Sequence, residues 1–239
     1  MICVTIESNQ TCTETIPAAT KLIAKSIQCR KLRCKILYSE ISNKNKSGRK
    51  RMYLVSVYFD NTTTRKMQAF IDQIAAISGN HYMTAKNVPP HMTLSAIEAR
   101  SVDILIPAVQ QLEGRLQQGM IQFVTVGQLF PYVLYTMPVL NSYLQQLAIQ
   151  VHSAVSGIPE TTVSKYYAPH SWLPHVTLAK TLSNEQMRRA FAVMQDKFSV
   201  FDARITELGL AKVNTHDDVL RFELISPPTK KKEREESLP

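Results

Sequence analysis

Hydrophobic and polar positions between residues 52 and 229 follow two periodicities, which predicts strands interleaved with helices. Residues 52–59 form a β-branched and aromatic run that is typical of a buried strand. A helix is predicted over 63–78, where apolar residues recur three and four positions apart, and Gly79 is expected to end it. This mixed pattern indicates an α+β fold with mixed α/β layers rather than a helix bundle.

The remainder of the body continues in the same way and divides into two weakly similar halves. Further helices are predicted at 102–118, 139–155 and 184–197. Further strands are predicted at 81–84, 91–97, 121–126, 132–136, 175–180, 205–213 and 219–225, with a hairpin turn at 214–218. Each half supplies strands, a helix and one strand that begins with the same short motif.

The repeated motif is Pro-His-apolar-Thr-Leu, and it occupies residues 90–94 and 174–178. The chain has six histidines, so two of them in the same setting are hard to attribute to chance. Because side chains alternate along a strand, His91 and Thr93 are expected on one face, with Ser95 continuing that row. Met92 and Leu94 are then expected on the opposite, apolar face.

The second motif repeats this arrangement with His175 and Thr177. If the two halves pack about an approximate two-fold axis, the two imidazoles and two hydroxyls converge on one cleft. Such a set suits in-line displacement at phosphorus, because one imidazole can accept a proton while the other donates one. The threonine hydroxyls can donate hydrogen bonds to the non-bridging phosphate oxygens.

This chemistry requires neither a metal ion nor another cofactor. Carboxylates near the motifs are sparse, Glu98 and Glu185 being the nearest, so a two-metal or zinc centre is poorly supported. The sequence also lacks a P-loop, which argues against ATP-driven chemistry. The motifs therefore predict metal-independent acid–base catalysis on a phosphate ester.

Positive charge is concentrated outside the predicted body. Residues 1–51 hold eleven Lys and Arg against three acids, a net charge of +8, whereas residues 52–229 hold thirteen of each. Residues 230–239 hold four against three and are predicted to be a disordered, charged tail. A long polyanion bound along the body would need a stripe of basic residues. The sequence has none there, so we expect a small or terminal phosphate to be bound locally.

Residues 1–51 are predicted to be a flexible basic leader, or an extension upstream of a natural start at Met52. All four cysteines lie here, and a zinc site using Cys29 and Cys34 is the alternative, although two close cysteine pairs are missing. A body without cysteine excludes a disulfide framework and suits a reducing compartment. No apolar run reaches 18 residues, so we expect a cytoplasmic protein without a membrane span.

The two motifs resemble those of the 2H phosphoesterases, and in particular of the bacterial 2′-5′ RNA ligase-like proteins. The resemblance covers about residues 52–226 and includes 89–94, 126–138 and 166–178. It implies a bilobal, pseudo-two-fold fold with a central cleft between two sheets, each lobe supplying one His-apolar-Thr-apolar motif.

This resemblance further implies hydrolysis of 2′,3′-cyclic phosphates, or of 2′-5′ phosphodiester links, in RNA ends or small nucleotides. His175 would activate water and His91 would protonate the leaving ribose oxygen, or the two roles would be exchanged. Thr93 and Thr177 would hold the phosphate. Aromatic residues near the motifs are the candidates for stacking a base, namely Phe130, Tyr132, Tyr167 and Trp172. Lys180 departs from the expected pattern, because strand alternation points it away from Thr177.

Two other interpretations remain open at this stage. The same chemistry can act on another cyclic nucleotide or metabolite phosphate, and RNA ligation is a reverse-direction possibility. Alternatively, the cleft can serve a non-catalytic module that binds RNA ends or phosphate. Intact histidine and threonine in both motifs argue against a binding module, which needs no pair of proton-transfer groups. We expect a monomer that acts alone on RNA ends or small cyclic nucleotides.

Overall fold

The structure is a computed structural model that describes residues 49–213 and 217–227. The predictions for the leader, its zinc alternative, the tail and the centre of the 214–218 turn lie outside these residues. The first strand begins at Arg51, which pairs with Ala99. The strand predicted over 52–59 therefore begins one residue earlier than expected.

Eight strands lie within the described residues. In chain order they are β1 (Arg51–Phe59), β2 (Met92–Ala99), β3 (Gly119–Leu129), β4 (Val133–Pro138), β5 (Thr162–Val163), β6 (Val176–Ala179), β7 (Phe201–Lys212) and β8 (Asp218–Glu223). All of the ladders between them are antiparallel.

The described α-helices connect these strands, together with two short 3-10 helices at Val102–Ile104 and Lys165–Tyr167. The α-helices are α1 (Asn61–Ser78), α2 (Tyr82–Ala85), α3 (Ile106–Gln110), α4 (Ser142–Val155) and α5 (Asn184–Lys197). Among the helices of the described residues, none has the length and apolar character needed to cross a membrane.

Local capping determines where the long helices begin and end. The Asp60 carboxylate accepts a hydrogen bond from the Thr63 backbone at 2.7 Å, and Gly79 ends α1 at φ +72°. Ser183 and Gln186 form a reciprocal capping box at the start of α5. These signals are visible in the sequence, and α5 occupies the range predicted for it.

The strands pair into one continuous sheet in the order β1-β2-β6-β4-β3-β7, and β7 returns to pair with β1. Six strands therefore form a closed ring, with β8 on β7 and β5 on β2 as additions. The α+β class is confirmed, but the strands of both halves belong to a single sheet rather than to two separate ones.

Helices cover this sheet and divide the core into two clusters. Helix α4 packs on β2 over a cluster that includes Leu144 and Val151. Helices α1 and α5 pack on each other over a second cluster, to which Ile74 and Ala190 contribute. All four of these side chains are almost completely buried. Burial of the apolar helix faces against the outer surface of the sheet therefore stabilises the fold.

Two predicted elements were wrong. The segment predicted as a strand over 81–84 instead contains the start of helix α2, with His81 as its N-cap. The Asn80 side chain accepts a hydrogen bond from the Tyr82 backbone at 3.2 Å and starts the helical turn. The helix predicted over 102–118 is reduced to a 3-10 turn and α3. Pro107 lies in the first turn of α3, which ends at Gln110, and Gly114 follows in a turn at φ +68°.

Candidate active site

The strands that carry the two motifs are direct neighbours in the sheet. Met92 of β2 lies opposite Val176 of β6 in an antiparallel bridge. Both side chains are completely buried, which anchors the apolar face of each motif in the core. Any antiparallel strand pair has a local two-fold axis perpendicular to the sheet, and here that axis passes between the two motifs.

This register brings the polar residues of the two motifs together. Continued by one residue in each direction, it places His91 opposite Thr177 and Thr93 opposite His175. All four side chains line one cavity of about 390 Å³. The Thr93 hydroxyl also lies 3.3 Å from the Ser56 hydroxyl on β1. The four side chains predicted to act together therefore share one cavity.

Each motif is followed by a β-bulge at its leucine. The partner of Thr93 is Ser56, whereas Ser95 pairs with Val55, so Leu94 has no partner of its own in this ladder. A bulge reverses the alternation of side chains beyond it. Ser95 is consequently buried away from the cavity, contrary to the prediction that it continues the row of polar residues.

The second motif has the same irregularity, because Thr177 pairs with Tyr135 and Ala179 pairs with Leu134. Leu178 is the extra residue, and the alternation again reverses. Lys180 therefore lines the cavity, and the prediction that it points away was wrong. Ala96 holds the equivalent position in the first motif, five residues after the histidine, and it also lines the cavity.

Both histidine rings are oriented by the same main-chain contact. Nδ1 of His91 lies 2.8 Å from the Pro89 carbonyl oxygen, and Nδ1 of His175 lies 2.8 Å from the Leu173 carbonyl oxygen. A carbonyl can only accept, so each Nδ1–H donates. In the neutral ring, Nε2 is then the proton acceptor. The tautomer is thus the same in both motifs.

The protonation of His175 is shifted by its surroundings. Burial lowers the pKa of His175 below its usual 6.5, and the hydrogen bond to the Leu173 carbonyl opposes this only in part. Judged by the solvent-exposed fraction of the residue, His175 is half-buried. Near neutral pH, His175 is therefore in the neutral form that can accept a proton.

Behind each histidine lies a tyrosine from the neighbouring strand. The ring centroid of Tyr58 on β1 lies 6.5 Å from that of His91, and the centroid of Tyr135 on β4 lies 5.5 Å from that of His175. Each tyrosine covers a glycine on the next strand. A Cβ on Gly209 would come within 2.9 Å of Tyr58, and a Cβ on Gly127 within 2.5 Å of Tyr135.

The tyrosine behind His91 is held by a polar network. The Tyr58 hydroxyl donates to Asp218 at 2.6 Å, and the Arg221 guanidinium lies 3.8 Å from the ring centroid. Burial, followed by the hydrogen bond to Asp218, raises the pKa of Tyr58 far above 10. The Tyr58 hydroxyl is therefore neutral, and these two contacts hold the Tyr58 ring in place behind His91.

The two ends of the cavity differ in chemistry. One end is apolar and includes Met52, Leu54 and Ala96. The other end includes Lys86 and Lys180. Among the described residues that line the cavity, none is acidic, so its net charge is positive.

The predicted aromatic residues are distributed unequally. Tyr167 lines the cavity, whereas Trp172 is buried in the core and does not, so it offers no surface on which a base can stack. Phe130 and Tyr132 are 86% and 59% exposed in the β3–β4 turn. They do not line the cavity themselves, but Leu129 and Val133 beside them do.

Sequence reasoning missed Tyr82 and Lys86, which line the cavity from α2 and its C-cap. The signal was their spacing of four residues, which matters only on a helix, and this segment was predicted to be a strand. No group of three or more potential metal ligands occurs within 49–213 and 217–227.

A protein-family model described as the 2′-5′ RNA ligase superfamily matches residues 64–217. This range includes both motifs and more than half of the chain. The chain belongs to the 2′-5′ RNA ligase superfamily. The resemblance to 2H phosphoesterases is thereby confirmed.

One solved structure shares this fold at low sequence identity. A crystal structure described as a phosphoesterase is 15% identical, with a TM-score of 0.50, and covers 73% of this chain and 99% of its own. E. coli LigT complexed with NADP+ is 16% identical, with a TM-score of 0.47, and covers 74% of this chain and 99% of its own.

Usb1 of Kluyveromyces marxianus is more distant, at 12% identity and a TM-score of 0.39, covering 74% of this chain and 98% of its own. Among curated proteins, none matches this sequence significantly. The similarity to the phosphoesterase structure concerns the fold alone, and the chemistry must be argued from the site.

Proposed function

We propose that this chain is a metal-independent phosphodiesterase that hydrolyses 2′,3′-cyclic phosphates, or 2′-5′ phosphodiester links, in RNA ends or small nucleotides. Membership of the superfamily supports phosphoester chemistry in general. The observation that carries the proposal is the shared cavity of His91, Thr93, His175 and Thr177, with both imidazoles held in the same tautomer.

In this reaction His175 is the general base. Its neutral Nε2 accepts a proton from water as the water oxygen forms a bond to phosphorus. The P–O bond to one ribose oxygen breaks, and the protonated His91 donates its Nε2 proton to that leaving oxygen. The lowered pKa of His175 supports this assignment, because the base must begin deprotonated.

The threonine hydroxyls stabilise the transition state. Thr93 and Thr177 lie on the cavity wall beside the two rings, and each hydroxyl can donate to a non-bridging oxygen on which negative charge accumulates. The buried apolar residue between histidine and threonine in each motif keeps both polar groups on the same face.

The test is turnover of nucleoside 2′,3′-cyclic phosphates in the presence of EDTA by the wild type and two variants. His91→Ala and His175→Ala should each lower kcat roughly 10²–10⁴-fold, because each removes one proton-transfer group. His170→Ala is the matched control, since His170 is an exposed histidine outside the cavity that contacts Gln145. Its turnover should equal that of the wild type.

Three outcomes would contradict the proposal. Activity abolished by EDTA would exclude the metal-independent mechanism. Normal turnover by both alanine variants would show that the motifs do not carry the chemistry. Tight binding of a cyclic nucleotide without turnover by the wild type would instead favour a non-catalytic binding module.

A further inference from the structure

Two lysines surround one tyrosine at the basic end of the cavity. Nζ of Lys86 lies 4.5 Å from the Tyr82 ring centroid and 3.4 Å from the Tyr82 hydroxyl oxygen. Nζ of Lys180 lies 5.9 Å from the same centroid. Both lysines are exposed, and all three residues line the cavity that contains the histidines.

No carboxylate of the described residues neutralises this pair. Within residues 49–213 and 217–227, neither Lys86 nor Lys180 forms an ion pair with an acidic side chain. Two like charges next to one ring repel each other, and an anion between them would remove that repulsion. Phosphate is the relevant anion, because the proposed function already places a phosphate ester in this cavity.

The reacting phosphate does not account for both lysines. A cyclic phosphodiester carries one negative charge, and the two threonine hydroxyls and a protonated His91 already supply its donors. The positive charge is also confined to one end, because Ala96 occupies the position equivalent to Lys180 at the opposite end. This asymmetry indicates a second anionic group on one side of the reacting phosphate.

The position of Lys180 fits a second anionic group of the substrate that lies one nucleotide unit away from the reacting phosphate. Lys180 lies three positions after Thr177 in the sequence. Because Leu178 is the extra residue of a bulge, Thr177 and Lys180 are separated by about two strand steps, or roughly 7 Å. A single ligand can therefore contact Thr177 and Lys180 together. The net neutral body offers no track for a longer polyanion.

We propose that Lys86, Lys180 and Tyr82 form a subsite for a second phosphate group, so that preferred substrates carry one phosphate besides the cyclic one. This proposal rests on the proposed function and narrows its substrate class. The second phosphate is either a terminal phosphate on the same nucleoside or the phosphodiester that links the preceding nucleotide. Both present the same oxygens to the two ammonium groups.

Three substrates distinguish these sources. They are adenosine 2′,3′-cyclic phosphate, the same nucleotide with a 5′-phosphate, and a diadenosine dinucleotide that ends in a 2′,3′-cyclic phosphate. The measured quantity is kcat/KM for each two-phosphate substrate relative to the first. In the wild type, at least one of these ratios should be about 10 or more, and the larger ratio identifies the source of the second phosphate.

Lys86→Ala, Lys180→Ala and the double variant should reduce that ratio, and the double variant should bring it to within about threefold of one, mainly through KM. Lys165→Ala is the matched control, because Lys165 also lies over a tyrosine, at 5.5 Å from the Tyr166 centroid, but does not line the cavity. Its ratio should equal the wild-type value.

Equal kcat/KM for all three substrates in the wild type would overturn the second-phosphate subsite while leaving the phosphodiesterase intact. A wild-type preference that the double lysine variant retains would also overturn it. Failure of the wild type to open any of the three substrates would instead overturn the proposed function, and the subsite with it. Circular dichroism and Tm of each variant establish that these exposed substitutions leave the fold unchanged.

Discussion

The backbone carbonyls of Pro89 and Leu173 determine how the two histidines present their nitrogens. In both motifs a carbonyl two residues before the histidine accepts from Nδ1, and the intervening residue is proline. Proline fixes φ and lacks an N–H, so the backbone around the contact has few alternatives. The motif therefore specifies the tautomer of the ring as well as its position.

The lowered pKa of His175 leads to a prediction about pH. Since the base must be deprotonated, kcat/KM should rise with pH through the pKa of His175 in the free enzyme, and the requirement for a protonated acid, His91, should lower it again on the alkaline side. Burial lowers that pKa, so the acidic limb of the pH profile should have its midpoint below 6.5. Steady-state rates between pH 4.5 and 8 measure this midpoint, and a midpoint above 6.5 would contradict the assignment of His175 as base.

At the scale of single residues, sequence reasoning was accurate up to the leucine of each motif. Strand alternation correctly grouped His91 with Thr93 and His175 with Thr177. It failed at Lys180, because a bulge depends on the pairing of two strands and leaves no mark in one strand's own sequence.

Glycines on β3 and β7 make room for the tyrosines that support the histidines. Gly127 lies directly opposite Tyr135, whose ring occupies the space of the missing Cβ. A ring that packs over a glycine on the neighbouring strand is held against that strand. Each histidine is thus supported by two further strands of the sheet, in the same order on both sides of the two-fold axis.

Gly127→Ala should therefore impair catalysis from outside the cavity. The added methyl group would lie 2.5 Å from the Tyr135 ring, so the ring must move away and disturb His175. We expect a loss of about 1–3 kcal/mol in the free energy of unfolding and a fall of roughly 10–100-fold in kcat. Thermal denaturation and steady-state rates measure the two effects.

The double variant Gly127→Ala with Tyr135→Leu separates these effects. The smaller side chain relieves the overlap, so Tm should recover, whereas kcat should stay low because the ring beside His175 is gone. Full recovery of both would show that Tyr135 does not position the histidine.

The helices show what local sequence can predict about elements. The start of α5 follows from its capping box. The segment 81–84 was mistaken for a strand because four residues are too few to establish a period. The pairing of Met92 with Val176 joins residues 84 positions apart. Such a contact depends on the packing of the whole chain, which local patterns do not encode.

On the scale of the whole molecule, the described residues that form the cavity lie between Met52 and Val213. We therefore expect a chain that begins at Arg49 to keep its turnover of adenosine 2′,3′-cyclic phosphate within about twofold of the full chain, since no lining side chain named here is removed. Tm and kcat/KM of the two proteins make the comparison. Loss of folding in the shortened chain would show that residues 1–48 contribute to the body.

The local two-fold axis has a consequence for regiochemistry. Rotation about this axis exchanges the two histidines and the two threonines, so these four groups alone would open a cyclic phosphate equally well towards the 2′ or the 3′ oxygen. Lys180 at one end of the cavity and Ala96 at the other break this equivalence, because a second phosphate held by Lys180 would fix the orientation of a bound nucleotide. On our proposal, the regiochemistry of ring opening would then be decided by an ammonium group that takes no part in bond cleavage.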